Sequence, residues 1–263
     1  MNPIATLGRV NPIVIGLLGR QGSGKSTVAR YLKNTYGAQI VSFATPLKNM
    51  ADAFLVNLGK LHDGLYIEDA MGWEPYQRTM LDDPRWKEGG VCIRESTPGE
   101  FRRLFTLRWL MRMIGTEMSR DHLGANVWVN AAYDSMVARE LASAVDGGVA
   151  APKQVFVIDD VRFPNEVARI RDGLGIIIKL TCTDDCAPTG DVHASENVDA
   201  IPPDQIDEAV SSHRSVGSDH LIGEFNAALE RLFHGPESRD DAGRVHEPPR
   251  VTWVRQTLAR ART

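Results

Sequence analysis

The chain has 263 residues, a formal net charge of −4, and hydrophobic and charged fractions of 43% and 24%. This length and composition suit one large α/β domain or two small ones, with a core of ordinary size. The charge provides no basic field for a nucleic acid backbone. The first twenty residues lack the pattern of a signal peptide, and no stretch reaches transmembrane length. We therefore expect a cytoplasmic protein whose partners include neither membrane nor nucleic acid.

The cysteines do not form a recognisable framework. Cys92, Cys182 and Cys186 are odd in number, which argues against a set of disulfides. Cys182 and Cys186 have a C-x-x-x-C spacing, but no second Cys or His pair stands nearby to complete four zinc ligands. We do not expect these thiols to bind a metal.

Hydrophobic periodicity predicts strands and helices in alternation. In chain order, we predict a strand over 12–18, a helix over 25–36, a strand over 39–43, helices over 46–58, 101–114 and 127–145, a strand over 154–158, a helix over 165–172, a strand over 176–181, and helices over 204–212 and 225–233. Residues 60–100 show no sustained period and are interpreted as an insertion or mobile flap. Residues 184–203 are interpreted as a polar, lid-like loop.

Alternating strands and helices are typical of a parallel sheet. We predict the α/β class: a three-layer P-loop NTPase fold, with helices on both faces of the sheet and substrate insertions beyond the strand ends. The predicted kinase domain covers residues 1–235 and includes both insertions. Residues 236–263 form a polar, proline-bearing tail, in which 251–258 could form a short helix.

The strongest motif follows the first predicted strand. Residues 19–26 read Gly-Arg-Gln-Gly-Ser-Gly-Lys-Ser, which fits the phosphate-loop pattern G-x-x-x-x-G-K-[ST] at every fixed position. Because the match also precedes a helix, chance is a poor explanation. The pattern predicts binding of ATP and Mg²⁺. The residues that would bind this cofactor pair are Gly19, Gln21, Gly22, Ser23, Gly24, Lys25, Ser26 and Thr27.

Two acids end the strand predicted over 154–158. Asp159 and Asp160 would face the cleft at the carboxyl end of the sheet, where one carboxylate, together with Ser26, could hold Mg²⁺. The other would cap the following turn, and the sequence does not say which takes which role. Arg162 would lie in the same crevice, with a surface ion pair as the alternative.

Arginines are unusually placed in the helix predicted over 101–114. At 100° per residue, Arg108 and Arg112 fall among its apolar residues. Buried arginines need anionic partners, either carboxylates within the protein or a substrate. A kinase whose acceptor is itself a phosphate must bring two anions together, so substrate contact is the favoured role for Arg120. The two alternatives stay open for Arg108, and Arg112 is interpreted as structural.

The sequence resembles the phage-type deoxynucleoside monophosphate kinases, a branch of the P-loop nucleotide kinases. The resemblance is carried by residues 19–27, 42–48, 108–129, 160–166 and 193–196. The first block is general to phosphate-loop proteins, whereas the last three in this order are more specific. Together they span most of residues 13–200.

The resemblance implies transfer of the ATP γ-phosphoryl group to a deoxynucleoside monophosphate, giving the diphosphate and ADP. Lys25 and Ser26 would hold the triphosphate and metal, with Asp160 at the site. Arg120 and Arg162 would bind phosphates. The acceptor pocket would be formed by Phe43, Lys48, Trp128, Asn165 and Glu166.

The sequence departs from the family pattern in three places. Thr45 stands where an Asp is common, and Arg112 stands where a Gln is common. The loop over 184–200 contains no arginine. The positive charge that a lid would supply to the transition state is therefore expected from Arg120 or Arg162.

Two other functions remain open from the sequence. One is a P-loop kinase for another phosphorylated small molecule, such as phosphomevalonate, with dephospho-coenzyme A a weaker alternative. The other is a non-kinase P-loop ATPase or a nucleotide-dependent interaction module. Formation of a homodimer is also left open.

Overall fold

The computed structural model describes residues 13–20, 22–62, 64–70, 72–95, 100–147, 154–182, 198–213 and 217–234. The strands are Ile13–Leu18 (β1), Gln39–Val41 (β2), Leu65–Asp69 (β3), Gly72–Pro75 (β4), Gly90–Arg94 (β5), Phe101–Thr106 (β6), Val155–Val161 (β7), Ile176–Cys182 (β8) and Glu208–Ser212 (β9). The α-helices are Lys25–Tyr36 (α1), Ala44–Leu61 (α2), Leu107–Arg112 (α3), Asp121–Leu123 (α4), Val127–Gly147 (α5), Pro164–Asp172 (α6) and Ser218–His234 (α7).

Shorter helical elements complete the described chain. A π-helix occupies Met113–Arg120, and 3₁₀ helices occupy Arg78–Leu81, Pro84–Trp86, Val198–Ala200 and Pro203–Gln205. The chain divides into two compact units: the first combines the residues up to Phe43 with those from Ala132 onward, and the second comprises Ala44–Ala131.

The first unit contains a five-stranded sheet in the order β2-β7-β1-β8-β9, in which every described pairing is parallel. Ile15 and Leu17 of β1 pack with residues of α1 and α7 in one core. Gly16 points to the opposite face because side chains alternate along a strand, and there it lies against Ile170 of α6. The predicted α/β architecture, a parallel sheet with helices on both faces, is therefore confirmed for this unit.

Continuous apolar sequence explains why these strands occupy the centre of the sheet. All six residues of β1 are buried, as are the first four of β7, a pattern typical of parallel strands covered on both faces. α1 ends as predicted: Gly37 adopts a left-handed conformation at φ 65° and its N–H donates to the Leu32 carbonyl, which is a common glycine C-cap.

The second unit is built on a four-stranded antiparallel sheet in the order β4-β3-β5-β6. One face packs with α2 and α3 in a core that includes Ile67, Val91 and Leu110. The other face carries an aromatic layer, defined here as Tyr66, Trp73 and Phe101 with Arg94. Trp73 stacks on Phe101 with ring centroids 4.5 Å apart, and the Arg94 guanidinium lies 5.2 Å from the Tyr66 centroid.

The helix predicted over residues 101–114 is wrong in its first half. Residues 101–106 form β6, and a helix begins only at Leu107. The sequence misleads because Leu104 is an extra residue at a β-bulge: Phe105 pairs with Val91 and Arg103 with Cys92. A bulge interrupts the period-2 alternation of a strand, and the apolar residues at 101, 104 and 105 then imitate a helical spacing.

Two further differences concern the segments between the predicted elements. Residues 60–100, interpreted as an insertion or mobile flap because their sequence shows no sustained period, contain β3, β4 and β5 of the second unit. The helix predicted over 204–212 is wrong: Glu208–Ser212 is a strand paired parallel with β8. Its Glu and Ala residues favour a helix, but pairing with β8 at the edge of the sheet prevails. The helix considered over 251–258 lies outside the described residues.

Candidate functional site

At two glycines, the loop between β1 and α1 packs closely against neighbouring atoms, one of the backbone and one of a side chain. A Cβ on Gly19 would lie 2.4 Å from the Leu180 carbonyl oxygen, and one on Gly24 would lie 2.3 Å from Leu221 Cδ2. Gly24 also has φ 91°, a left-handed conformation that disfavours residues with a side chain. The glycines of the motif are therefore required by this loop's own geometry.

The start of α1 is open to an anion. Gly24 is the N-cap, no side chain of the described residues donates or accepts a capping hydrogen bond, and the first turn contains no acidic residue. The first N–H groups of a helix have no partner within it and carry a partial positive charge. This arrangement is the one that phosphate-binding helices use.

Two polar side chains of the loop fit a bound phosphate. Lys25 Nζ donates to the carbonyl oxygens of Gly19 and Arg20 at 2.6 and 2.7 Å, which keeps its ammonium group against the loop. Ser23 is 3% exposed, and its Oγ has no hydrogen-bond partner among the described residues. Ser26 is exposed at the start of α1, and Thr27 is half-buried. Gln21 lies outside the described residues.

Asp159 and Asp160 lie beside this loop on β7, where the pairing register with β1 shifts between Gly16 and Leu18. Asp160 accepts hydrogen bonds from Ser42 Oγ at 2.5 Å and from the Phe43 N–H at 2.8 Å. Asp160 therefore fixes the end of β2. The sequence did not indicate this contact, because the strand predicted over 39–43 includes Ser42, whereas the observed strand ends at Val41.

The buried side chain of Glu166 stabilises the turn that follows β7. Glu166 is 2% exposed, and its Oε2 accepts from the N–H groups of Arg162 and Phe163 at 2.7 and 3.0 Å. This is the glutamate half of a capping box at the start of α6. Arg162 has an exposed side chain, and among the described residues no ion pair engages its guanidinium. Asn165, in the first turn of α6, is half-buried.

In the second unit, Lys48 and Arg78 both form ion pairs with the Asp82 carboxylate. Lys48 Nζ lies 2.9 Å from Asp82 Oδ1, and Arg78 Nη1 lies 2.7 Å from Asp82 Oδ2. Partial burial raises the pKa of Asp82, but the hydrogen bonds and positive charges of Lys48 and Arg78 outweigh it and leave the pKa below its ordinary value. Lys48 thereby links α2 to the segment that follows β4.

The arginines predicted on an apolar helix face are placed differently. Arg108 is exposed and pairs with Glu88 at 2.6 Å, so the prediction that its side chain is buried is wrong. Arg112 is also exposed. Both errors follow from the helix start, because the apolar residues at 101, 104 and 105 belong to β6. Arg120 is half-buried at the last position of the π-helix.

Trp128 and Phe43 lie in the interior. Trp128 is 7% exposed in the core of the second unit, and its Nε1 donates to the Gly115 carbonyl at 2.9 Å. Phe43 is 3% exposed in the first unit. For Trp128 this burial agrees with the usual place of a tryptophan on a helix, which is in the core. Leu221, which lies against Gly24, was also missed, and no sequence signal marks it. Residues 193–196 lie outside the described residues.

The residues of the first unit fit a nucleoside triphosphate with Mg²⁺. The N–H groups at the start of α1, the buried Ser23 hydroxyl and the Lys25 ammonium all suit phosphate oxygens. Within the described residues there is no cluster of three or more His, Cys, Asp or Glu that could hold a metal by themselves. Mg²⁺ commonly binds through one or two protein groups together with phosphates and water. Separately, none of the helices described is long and apolar enough to cross a membrane.

Comparison with known proteins gives one informative relative. No protein-family model matches the chain. Over 173 residues it is 28% identical to a protein of Acanthamoeba polyphaga mimivirus named "Putative deoxynucleotide monophosphate kinase", a match that covers 64% of this chain and 73% of that protein. The resemblance found in the sequence is thereby confirmed, and the similarity supports a kinase.

A structural comparison adds little. The unliganded crystal structure of a sugar kinase from Janibacter sp. HTCC2649 aligns with 83% of this chain and 95% of its own, at 14% identity and a TM-score of 0.32. A superposition with so low a score carries no argument about fold or function.

Proposed function

We propose that this protein is a P-loop kinase that transfers the γ-phosphoryl group of ATP to a deoxynucleoside monophosphate, giving the diphosphate and ADP. The observation that carries the proposal is the loop between β1 and α1. There Gly24 is the N-cap in a left-handed conformation, no described side chain makes a capping hydrogen bond to the helix start, and Lys25 is held against the loop carbonyls. The similarity to the mimivirus protein supports the choice of acceptor.

On the donor side, the loop binds the phosphates of ATP. The N–H groups at the start of α1 and the Ser23 hydroxyl donate to phosphate oxygens. The Lys25 ammonium group exchanges its two carbonyl acceptors for oxygens of the β- and γ-phosphates, where it offsets the charge that develops as the γ-phosphoryl group leaves. Gly19 and Gly24 allow the backbone to follow the anion closely.

Mg²⁺, when bound, would neutralise the phosphate charge and orient the γ-phosphoryl group. Ser26 and Asp159 are the residues we assign to it. Asp160 is assigned the other role left open by the sequence, because both of its oxygens accept hydrogen bonds from Ser42 and Phe43. In this assignment Asp160 positions the end of β2, and Asp159 would help to hold the metal.

On the acceptor side, an oxygen of the monophosphate attacks the γ-phosphorus in line as the bond to the ADP oxygen breaks. The protein needs no nucleophile of its own, and it contributes orientation, positive charge and exclusion of water. We assign phosphate binding to Arg120 and Arg162. Arg162 suits this role because Glu166 fixes its backbone while its side chain remains exposed. Lys48 and Asn165 are assigned to the acceptor pocket.

The acceptor panel is the direct test. ADP production from ATP and Mg²⁺ is measured with dAMP, dGMP, dCMP, dTMP and their ribose counterparts added one at a time. We expect a sharp rise with at least one deoxynucleotide and formation of the matching diphosphate. A slow rate that ignores every acceptor would contradict the kinase proposal and favour an ATPase, while nucleotide binding to the loop would stand.

A further inference from the structure

The π-helix Met113–Arg120 is eight residues long and ends at Arg120. π-helices are rare, are mostly single turns within α-helices, and occur frequently at functional sites. Their hydrogen bonds join the N–H of one residue to the carbonyl five positions earlier. The Asp121 N–H donates to the Thr116 carbonyl, which follows this spacing. By the same spacing, the backbone partner of the Gly115 carbonyl is the N–H of Arg120.

Trp128 binds this same carbonyl. Its Nε1 donates to the Gly115 oxygen at 2.9 Å, from a side chain that is 7% exposed. A carbonyl oxygen has two lone pairs and can accept from two donors. Gly115 itself is closely packed, because a Cβ there would lie 3.0 Å from Leu47 Cδ2. The buried indole therefore donates a hydrogen bond to a backbone carbonyl of the π-helix, at a residue where a side chain would press on Leu47.

We infer that Trp128 is a positioning residue for Arg120, an inference that rests on the phosphate-binding role proposed for Arg120. In an α-helix the Gly115 carbonyl would instead accept from the N–H of Ser119. A shift of one residue in helical register rotates the following side chain by about 100° around the helix axis. By fixing the Gly115 carbonyl, the Trp128 indole favours the π-helical spacing and sets the direction in which the Arg120 side chain leaves the backbone.

The chemistry of the indole explains why a tryptophan serves here. Phenylalanine can fill much of the same apolar space, but it has no ring N–H to donate. Loss of that donor leaves the core mostly filled while the Gly115 carbonyl loses one partner. A positioning role therefore predicts an effect on catalysis that exceeds the effect of an equally buried ring elsewhere in the same core.

Trp86 provides the matched control. It is also 7% exposed and lies in the same core, and no hydrogen bond joins its side chain to the described residues of the π-helix. We expect Trp128→Phe to lower kcat/KM for the acceptor about tenfold, because a small displacement of a substrate-binding group can reduce turnover strongly. The KM for ATP should not change. Trp86→Phe should leave both parameters within about twofold, since it removes no hydrogen bond to the described residues of that helix.

A double-mutant cycle tests whether Trp128 acts through Arg120. In an Arg120→Ala background, Trp128→Phe should have no further effect on kcat/KM, because residues that act as a unit are not additive. Equal losses in the two backgrounds would overturn the inference. A loss in Trp86→Phe as large as that in Trp128→Phe would also overturn it, because a general disturbance of the core would then suffice.

Amide hydrogen exchange in the wild-type protein provides a readout that needs neither activity nor a folded variant. We expect the Trp128 indole proton and the Arg120 amide proton both to exchange slowly. Rapid exchange of the Arg120 amide in a stable protein would overturn the proposed backbone arrangement. If the acceptor panel shows no transfer while both protons are protected, the kinase proposal fails and the Trp128 contact stands.

Discussion

In the parallel sheet of the first unit, strands β1 and β7 carry buried side chains on both faces of the sheet. The candidate site lies where these strands end. In the second unit, one face of the antiparallel sheet joins a core, whereas the other carries the aromatic layer of Tyr66, Trp73 and Phe101 with Arg94. Trp73 is 41% exposed there. The first sheet is therefore stabilised mainly by burial, and the outer face of the second by contacts between neighbouring strands.

This difference predicts where the molecule tolerates change. A substitution within the first sheet removes buried apolar contacts, and one at its carboxyl end removes groups proposed to bind phosphate. A substitution in the aromatic layer removes contacts that water partly replaces. The following experiments can break or sharpen that contrast.

The largest effect is expected for Lys25→Ala. We expect kcat to fall by about three orders of magnitude, because the ammonium group stabilises charge that develops on the transferred phosphate. The unfolding midpoint in urea should change little. Lys33→Ala is the matched control, since Lys33 is an exposed lysine in the last turn of the same helix. Near-normal turnover in Lys25→Ala would exclude the proposed mechanism.

Phe156→Ala should destabilise the first unit strongly. Phe156 is fully buried and lies on β7, the strand between β2 and β1 in the sheet. Truncation of such a side chain costs about 3–5 kcal/mol of unfolding free energy. Urea denaturation measures the change. A loss below about 1 kcal/mol would mean that burial contributes less to this sheet than its exposure values indicate.

Substitution of Asp159 and of Asp160 should have different effects, the first on turnover and the second on stability. We expect Asp159→Asn to lower kcat about a hundredfold and to raise the Mg²⁺ concentration required. Asp160→Asn should instead lower stability by about 1–2 kcal/mol, because a carboxylate oxygen that accepts from Ser42 or Phe43 is replaced by an amide nitrogen. Turnover at several Mg²⁺ concentrations, with urea melts of both variants, distinguishes the roles. The reverse pattern would exchange the two assignments.

Trp73→Ala should have a smaller effect than Phe156→Ala. The ring stacks on Phe101 but remains partly in water, so we expect a loss of about 1 kcal/mol in unfolding free energy. Trp73→Phe, which preserves a stacking partner, should recover most of it. If Trp73→Ala destabilised as much as Phe156→Ala, the contrast between the sheets would be wrong.

The smallest effect is a dependence of stability on alkaline pH. Burial, followed by the nearby Glu68 carboxylate, raises the pKa of the Cys92 thiol to about 11. An unfolded thiol loses its proton at lower pH, so the folded state binds more protons and stability falls as the pH rises through this interval. Between about pH 9 and 10 the loss should not exceed about 1 kcal/mol. Urea melts of Cys92→Ala should lack this part of the slope.

The parallel sheet was largely predictable from sequence because its strands are short apolar runs and its main loop needs glycine. β1, α1 and the Gly37 cap all follow from local signals. The second unit was harder, since the bulge at Leu104 disrupts the strand alternation and the neighbouring residues then match a helix. β9 was missed because its residues favour a helix, and only pairing with β8 makes it a strand.

The candidate site divides in the same way. The phosphate loop is a contiguous motif, so Lys25, Ser26 and the glycines could be identified directly. The choice between Asp159 and Asp160 depends on hydrogen bonds from residues more than a hundred positions away. The exposed position of Arg108 depends on where its helix begins. Neither is encoded in local spacing.

Contact between Gly24 and Leu221 of α7 has a consequence for synthesis of the chain. The phosphate loop is made early, but the helix that packs against it lies almost two hundred residues later. A growing chain on the ribosome, which folds from its N-terminus at a rate limited by translation, therefore lacks this support for most of its synthesis. The loop between β1 and α1 therefore reaches its final packing only after α7 has emerged from the ribosome.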